Sequence, residues 1–209
     1  MLKAIIFDVG GVLIRTHSWA GREKWAAKLG LAPQEFENFV FNSESGRQAQ
    51  LGQMSSEAHW RGLGRHFGLD EAGITELRRD FFSGDALDES LVAYIQQLRQ
   101  AGYRTGLLSN ASDEARRLLT EVYPIIDYFD GVIISAEVGL MKPDPQIYQL
   151  AAQSLGVKVE QALFVDDFWK NIEGAWSVGM QALHFDNPAN VQKQLAKLTG
   201  VAWTMNDEQ

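Results

Sequence analysis

Residues 5–13, IIFDVGGVL, decide how this 209-residue sequence is interpreted. An unbroken apolar run, rich in β-branched side chains, ends at Asp8, and a turn with two glycines follows. Such a run predicts a short buried strand over Ala4–Phe7 rather than a signal peptide. Ligands of α/β proteins bind beyond the carboxyl ends of parallel strands, so Asp8 lies where a functional group is expected.

Apolar runs of the same kind alternate with helical patterns through the second half of the chain. The predicted strands are Tyr103–Leu108, Gly131–Ile134, Ala162–Val165 and Gln181–Phe185. Between them, Asp88 and the Asp144-Pro145 pair are typical helix starts, and glycines mark the helix ends. This alternation predicts an α/β fold with a Rossmann-like, mostly parallel sheet flanked by helices.

The segment that separates the first strand from this alternation has a different character. Residues 15–84 show almost no strand pattern, and their aromatic side chains recur at loose helical intervals. We therefore expect an inserted all-helical cap over 15–84. Residues 1–14 and 85–200 would form the catalytic core, and 201–209 a peripheral tail.

Polar side chains stand at or shortly after several predicted strand ends: Asp8, Ser109, Lys142, Asp166 and Asp167. The carboxyl ends of parallel strands meet at one edge, so these residues should share one crevice. Three carboxylates in one crevice need a cation, and Mg²⁺ prefers such oxygen ligands. A carboxylate nucleophile beside a fixed ammonium predicts phosphoryl transfer.

The polar residues of this predicted site lie in four segments: IIFDVGGVL (5–13), LLSNAS (107–112), GLMKPDPQIY (139–148) and LFVDDFWKNIEGAWSVGM (163–180). In this order, they resemble the haloacid dehalogenase-like hydrolase superfamily, within it the small phosphatases with a helical cap. The resemblance spans nearly the whole predicted core. It implies a Mg²⁺-dependent phosphatase of small phosphorylated metabolites, with sugar phosphates as one candidate class, acting through an aspartyl-phosphate on Asp8.

The resemblance also implies a role for each site residue. Asp8 is expected to be nucleophile and metal ligand, and Lys142 to bind substrate and balance the charge of the phosphoenzyme. The remaining implied roles are phosphate binding by Ser109 and Asn110, metal binding by the Gly10 carbonyl, Asp166 and Asp167, and support of the acidic loop by Asn171. Asp167 is the stronger candidate for direct ligation.

Gly10 departs from the pattern of many relatives, which carry an acid/base Asp two residues after the nucleophile. The loss of a general acid/base costs on the order of 10²–10⁴ in rate. Three explanations remain open. The chain belongs to a branch resembling sugar-phosphate phosphatases, which has Gly here and works regardless, or His17 or metal-bound water supplies the proton. In the third explanation, the protein binds phosphates with weak or lost catalysis. A metal-independent 2-haloacid dehalogenase is less favoured, because the Asp166-Asp167 pair is intact.

Composition restricts the remaining function classes. The net charge is −8 and the chain contains no cysteine. An acidic chain disfavours a nucleic-acid partner, and the missing thiols exclude disulfides, thiolate-bound metals and a Cys nucleophile. No apolar run is long enough to span a membrane. We expect a cytoplasmic monomer or homodimer that acts on a small phosphate ester, with Trp19 and Phe41 as candidate pocket residues.

Overall fold

The computed structural model describes residues 1–203 and contains a five-stranded parallel sheet. Its strands are β1 Ala4–Phe7, β4 Arg104–Ser109, β5 Gly131–Ile134, β6 Ala162–Asp166 and β7 Gln181–His184. They lie side by side in the order β5-β4-β1-β6-β7. The central strand β1 is fully buried and pairs in parallel with β4 on one side and β6 on the other. This arrangement confirms the predicted α/β class, and it places the carboxyl end of β1 between those of its two neighbours.

Helices cover both faces of this sheet. The helices of the core are α6 Glu89–Gln100, α7 Ala115–Arg117, α8 Ser135–Val138, α9 Pro145–Ser154, α10 Trp169–Ser177 and α11 Pro188–Thr199. Alternate side chains of β1 enter different clusters: Ile5 and Phe7 pack on one face, Ala4 and Ile6 on the other. Each face is thus covered by apolar side chains, as a strand buried on both sides requires.

Local capping explains why two of these helices begin where the sequence predicts. The side chain of Asp88 accepts a hydrogen bond from the N–H of Leu91, and that of Asp144 accepts one from Gln146. Both satisfy N–H groups that have no partner inside their own helix. Pro145 follows Asp144 at the first helical position, where its missing N–H costs nothing.

Five helices follow in the segment predicted as a cap: α1 Ala20–Leu29, α2 Pro33–Phe41, α3 Glu44–Gln50, α4 Ser56–His66 and α5 Glu71–Phe82. They enclose a separate apolar cluster that includes Trp25, Phe36 and Phe81. Two short strands flank them, β2 Ile14–Thr16 and β3 Asp85–Leu87, which pair antiparallel. The sequence does not predict this pair, because three residues are too few to show an alternating pattern.

The chain after α11 returns to the core. Val201 and Trp203 pack against the cluster on one face of the sheet, and the Trp203 ring stacks on Tyr94 with centroids 4.4 Å apart. The rest of the predicted tail, 204–209, lies outside the described residues. Within residues 1–203, every helix is too short or too polar to cross a lipid bilayer.

Candidate functional site

Asp8 occupies the first position after β1, at the centre of the sheet edge. Only 8% of the residue is exposed. Its Oδ1 accepts a hydrogen bond from the N–H of Val9 at 2.7 Å and lies 2.8 Å from Nζ of Lys142. With Oδ1 held by two donors, Oδ2 is the carboxylate oxygen that remains available for a ligand or a reaction.

Lys142 lies between two carboxylates. Its Nζ is 2.8 Å from Oδ1 of Asp8 and 2.7 Å from Oδ2 of Asp166, and the residue is 2% exposed. A lysine buried to this degree is stable only when its charge is paired. Asn110 fixes the backbone of Lys142, since Nδ2 donates to its carbonyl at 2.9 Å and Oδ1 accepts from its N–H at 2.8 Å.

Asp166, the last residue of β6, is fully buried and saturated with donors. Besides Lys142, it accepts hydrogen bonds from Nδ2 of Asn171, 3.0 Å from each carboxylate oxygen, and from the N–H of Phe168 at 2.8 Å. The hydroxyl of Tyr148 donates to the carbonyl of Asn171 at 2.8 Å. Tyr148 had no predicted role, although a tyrosine on an otherwise apolar helix face is a signal for a buried polar contact.

Asp167 differs from its neighbour because it is exposed to solvent. Asp8, Asp166 and Asp167 each offer an oxygen, and these atoms lie within 4.8 Å of one another. Three carboxylates and the one ammonium of Lys142 leave two net negative charges if all are ionised. Hard oxygen donors with this excess charge fit a divalent cation such as Mg²⁺.

The crowding of these carboxylates alters their titration. Burial and the nearby Asp166 and Asp167 raise the pKa of Asp8 well above its ordinary value, although Lys142 opposes the shift. Partial desolvation and Asp166 also raise the pKa of Asp167. Asp8 and Asp166 raise the pKa of Lys142 even though its burial acts the other way. A cation at this site would favour the ionised carboxylates and so oppose the upward pKa shifts of Asp8 and Asp167.

The two glycines after Asp8 have different environments. A Cβ on Gly11 would lie 2.0 Å from Oδ2 of Asp167, and Gly11 has φ +76°, so both space and backbone require glycine there. A Cβ on Gly10 would meet no described atom within 4 Å. Gly10 is therefore a position where a side chain is absent but would fit.

A cleft of about 1320 Å³ opens from this site towards the helical segment. Gly10, Ser109, Asn110 and Asp167 line its inner end. Trp19 and Phe41, the candidate pocket residues, line its outer part, whereas His17 does not belong to its wall. The structure thus brings every predicted site residue to one region.

The chain belongs to the haloacid dehalogenase-like hydrolase family, whose model matches residues 2–179. It is 27% identical to the sesquiterpene phosphatase astK of Aspergillus oryzae over 95% of this chain and 97% of that protein. Phosphatase MT3486 of Mycobacterium tuberculosis is 30% identical over 88% of each chain. Several longer curated relatives match over only 24–39% of their own length.

A solved structure shows the same architecture. The predicted HAD-like family hydrolase from Porphyromonas gingivalis superposes with a TM-score of 0.77 at 26% identity, covering 95% of this chain and 98% of that one. The expected family and fold are therefore confirmed.

Proposed function

We propose that this hydrolase is a Mg²⁺-dependent phosphatase of small phosphate monoesters that works through an aspartyl-phosphate on Asp8. The observation that carries the proposal is the pairing of Asp8 with Lys142 at 2.8 Å beside two further carboxylates. A dehalogenase needs a carboxylate nucleophile but not this acidic cluster. The phosphatase names of two relatives that align over most of their length agree with this choice.

In the first step, Oδ2 of Asp8 bonds to phosphorus as the bond between phosphorus and the ester oxygen breaks. The departing ester oxygen takes a proton from a water molecule in the cleft and leaves as the alcohol. Oδ1 stays bound to Val9 and Lys142, which hold the carboxylate in place. Water then cleaves the acyl phosphate, releases inorganic phosphate and restores the carboxylate.

The surrounding residues would compensate charge and bind the phosphate group. Lys142 offsets negative charge on the phosphoenzyme, and the hydroxyl of Ser109 donates to phosphate oxygens. We assign phosphate binding by Asn110 to its backbone, since its side chain is engaged with Lys142. Preorganised donors of this kind stabilise the charge that develops during phosphoryl transfer.

Asp8, Asp167 and the carbonyl of Gly10 would hold Mg²⁺. Asp166, with its four short contacts to Lys142, Asn171 and Phe168, orients the site and adds negative charge. When bound, the cation neutralises excess negative charge and orients a phosphate group.

A second candidate is a phosphate-binding protein with weak catalysis. It is favoured by Gly10, which leaves the usual acid/base position without a side chain. The two candidates share the phosphate site and differ in turnover.

The test is phosphate release from a panel of monoesters, with Mg²⁺ and with EDTA, for the wild type and Asp8→Asn. We expect release that requires both the metal and Asp8, and a loss of at least about 10⁴-fold in the variant. Asp186→Asn, the same change at an exposed carboxylate away from the cluster, is the matched control. Undiminished release by Asp8→Asn at wild-type thermal stability would refute the mechanism, and halide release from 2-haloacids in EDTA would favour the dehalogenase.

A further inference from the structure

The outer part of the cleft contains large apolar side chains that are only partly covered by the rest of the described chain. Five large hydrophobic residues with 36–53% exposure line it: Trp19, Phe41, Phe82, Leu118 and Val122. Three come from the helical segment and two from the core, so apolar surface faces the cleft from both sides. Contiguous exposed apolar surface is typical of a binding site.

The charged side chains of the same wall are engaged with one another. All five lining arginines form ion pairs: Arg15 with Asp88, Arg22 with Glu37 and Asp85, Arg61 with Glu57, Arg78 with Glu114, and Arg79 with Asp80. Arg22 is also buried and donates from Nε to the carbonyl of Phe81 at 3.1 Å. Each guanidinium group therefore has a carboxylate partner before a substrate enters, although Nε of Arg15 has no hydrogen-bond partner among the described residues.

Several uncharged polar groups of the wall are similarly occupied, whereas the buried Nε2 of His59 has no hydrogen-bond partner among the described residues. Thr16 donates to Asp85 at 2.6 Å, Ser56 to Glu114 at 3.0 Å, and Gln50 to the carbonyl of Phe41 at 2.7 Å. A ligand rich in hydroxyls would have to break such bonds to form its own, because polar groups buried without partners are costly. The wall favours hydrocarbon over sugar.

The volume indicates the size of the ligand. At about 1320 Å³, the cleft exceeds the roughly 300–1000 Å³ usual for small-molecule sites. A phosphate at Ser109 would fill only its inner end. The remaining space would be left as water against Trp19, Phe41 and Val122 if the organic group were short.

We infer that the substrate class of this phosphatase is phosphate monoesters of large, mainly hydrocarbon alcohols, with the phosphate at Asp8 and the apolar group between the helical segment and the core. The inference rests on the proposed function, whose substrate class it defines. The inference disfavours sugar phosphates, which the sequence suggested as one candidate substrate class.

The experiment compares kcat/KM for butyl phosphate, octyl phosphate and glucose 6-phosphate in Mg²⁺, with octyl phosphate below its micelle-forming concentration. Each buried methylene is worth roughly fourfold in affinity, so octyl phosphate should exceed butyl phosphate on the order of 100-fold. Phe41→Ser and Val122→Ser should each reduce this ratio several-fold, because the loss should be larger for octyl phosphate than for butyl phosphate. Trp176→Ser, an exposed aromatic residue outside the cleft, should leave the ratio intact.

Equal kcat/KM for the two alkyl esters, or a preference for glucose 6-phosphate, overturns the inference while leaving the phosphatase standing. If no ester is hydrolysed, the proposed function fails, and binding decides the inference separately. Calorimetric titration of Asp8→Asn should then show octyl phosphate binding at least about tenfold more tightly than butyl phosphate. Equal binding of both esters overturns the inference in that case also.

Discussion

Asn110 and Lys142 form a reciprocal pair across two loops: the amide of Asn110 both donates to and accepts from the backbone of Lys142, at 2.9 and 2.8 Å. Asn110 directly follows β4, and Lys142 belongs to the loop before α9. The pair therefore ties the loop after one strand to the ammonium that contacts Asp8. The position of Nζ depends on a side chain that does not touch it.

Asn110→Ala should consequently lower kcat/KM by about 10²-fold, since a small displacement of a catalytic group has effects of this size. It should also reduce stability by about 1–3 kcal/mol through the loss of partly buried hydrogen bonds. Asn110→Asp retains the acceptor and loses the donor, so an intermediate effect is expected. Phosphate release and urea unfolding measure both quantities, and a wild-type rate in Asn110→Ala would contradict the positioning role.

Replacement of the buried ammonium should affect folding as well as activity. Lys142→Met leaves Asp8 and the fully buried Asp166 without their cation, and such losses typically cost about 3–5 kcal/mol. Adding Asp166→Asn should recover part of that stability, because it removes one of the uncompensated charges. Lys170→Met, at an exposed lysine, is the matched control. If Lys142→Met unfolds at the wild-type urea concentration, the ion pairs are not structural.

Gly10→Asp tests whether a missing acid limits the rate. The position accepts a Cβ without contact, so the fold should tolerate the change. We expect kcat to rise by about 10²–10⁴-fold if a general acid/base is absent, because that is what such groups contribute. Gly10→Asn provides the same shape without the proton. An equal rate in the two variants would show that the enzyme already has another proton donor.

Magnesium and pH should act on stability together. Burial and neighbouring carboxylates raise the pKa of Asp8 and Asp167, so the folded, metal-free protein binds protons more tightly than the unfolded chain. Its stability therefore falls as pH rises from the ordinary carboxyl pKa, about 4, through the raised folded values. Mg²⁺ competes with these protons, and its stabilising effect should be larger at about pH 7.5 than at about pH 5.

Calorimetric Tm values with and without Mg²⁺ at the two pH values measure this linkage. A metal concentration of 100 times Kd adds about 2.7 kcal/mol to stability. Asp167→Asn should diminish the effect, whereas Asp186→Asn, at an exposed carboxylate away from the cluster, should not. A Tm increase that is as large in acid as near neutrality would argue against metal binding by this cluster.

The sequence was sufficient for those parts of the molecule that depend on local signals. The apolar run that ends in Asp8 and the helix N-cap at Asp144 can each be recognised from a few consecutive residues, and the structure contains both. The convergence of Lys142 and Asp166 on Asp8 followed from a topological rule about strand ends.

What the sequence did not contain are contacts between distant segments that no periodicity records. Tyr148 reaches the carbonyl of Asn171, and Arg22 joins Glu37 to Asp85 across the helical segment. Neither pairing has a characteristic spacing. The apolar wall was predicted only in part: Trp19 and Phe41 were candidate pocket residues, but exposed and buried aromatics such as Phe41 and Phe36 look alike in a helical pattern.

The short antiparallel pair β2–β3 bears on how the inserted helical segment could be exchanged during evolution. Thr16 and Asp85 lie opposite each other in register, and neighbouring strands are separated by roughly 4.8 Å. The two ends of segment 17–84 therefore lie next to each other, at the paired strands β2 and β3. A different insert with ends at that spacing could be grafted there while the strands that carry Asp8, Ser109 and Asp166 remain as they are. A replaced helical segment would therefore leave the carboxyl edge of the sheet and its side chains in place.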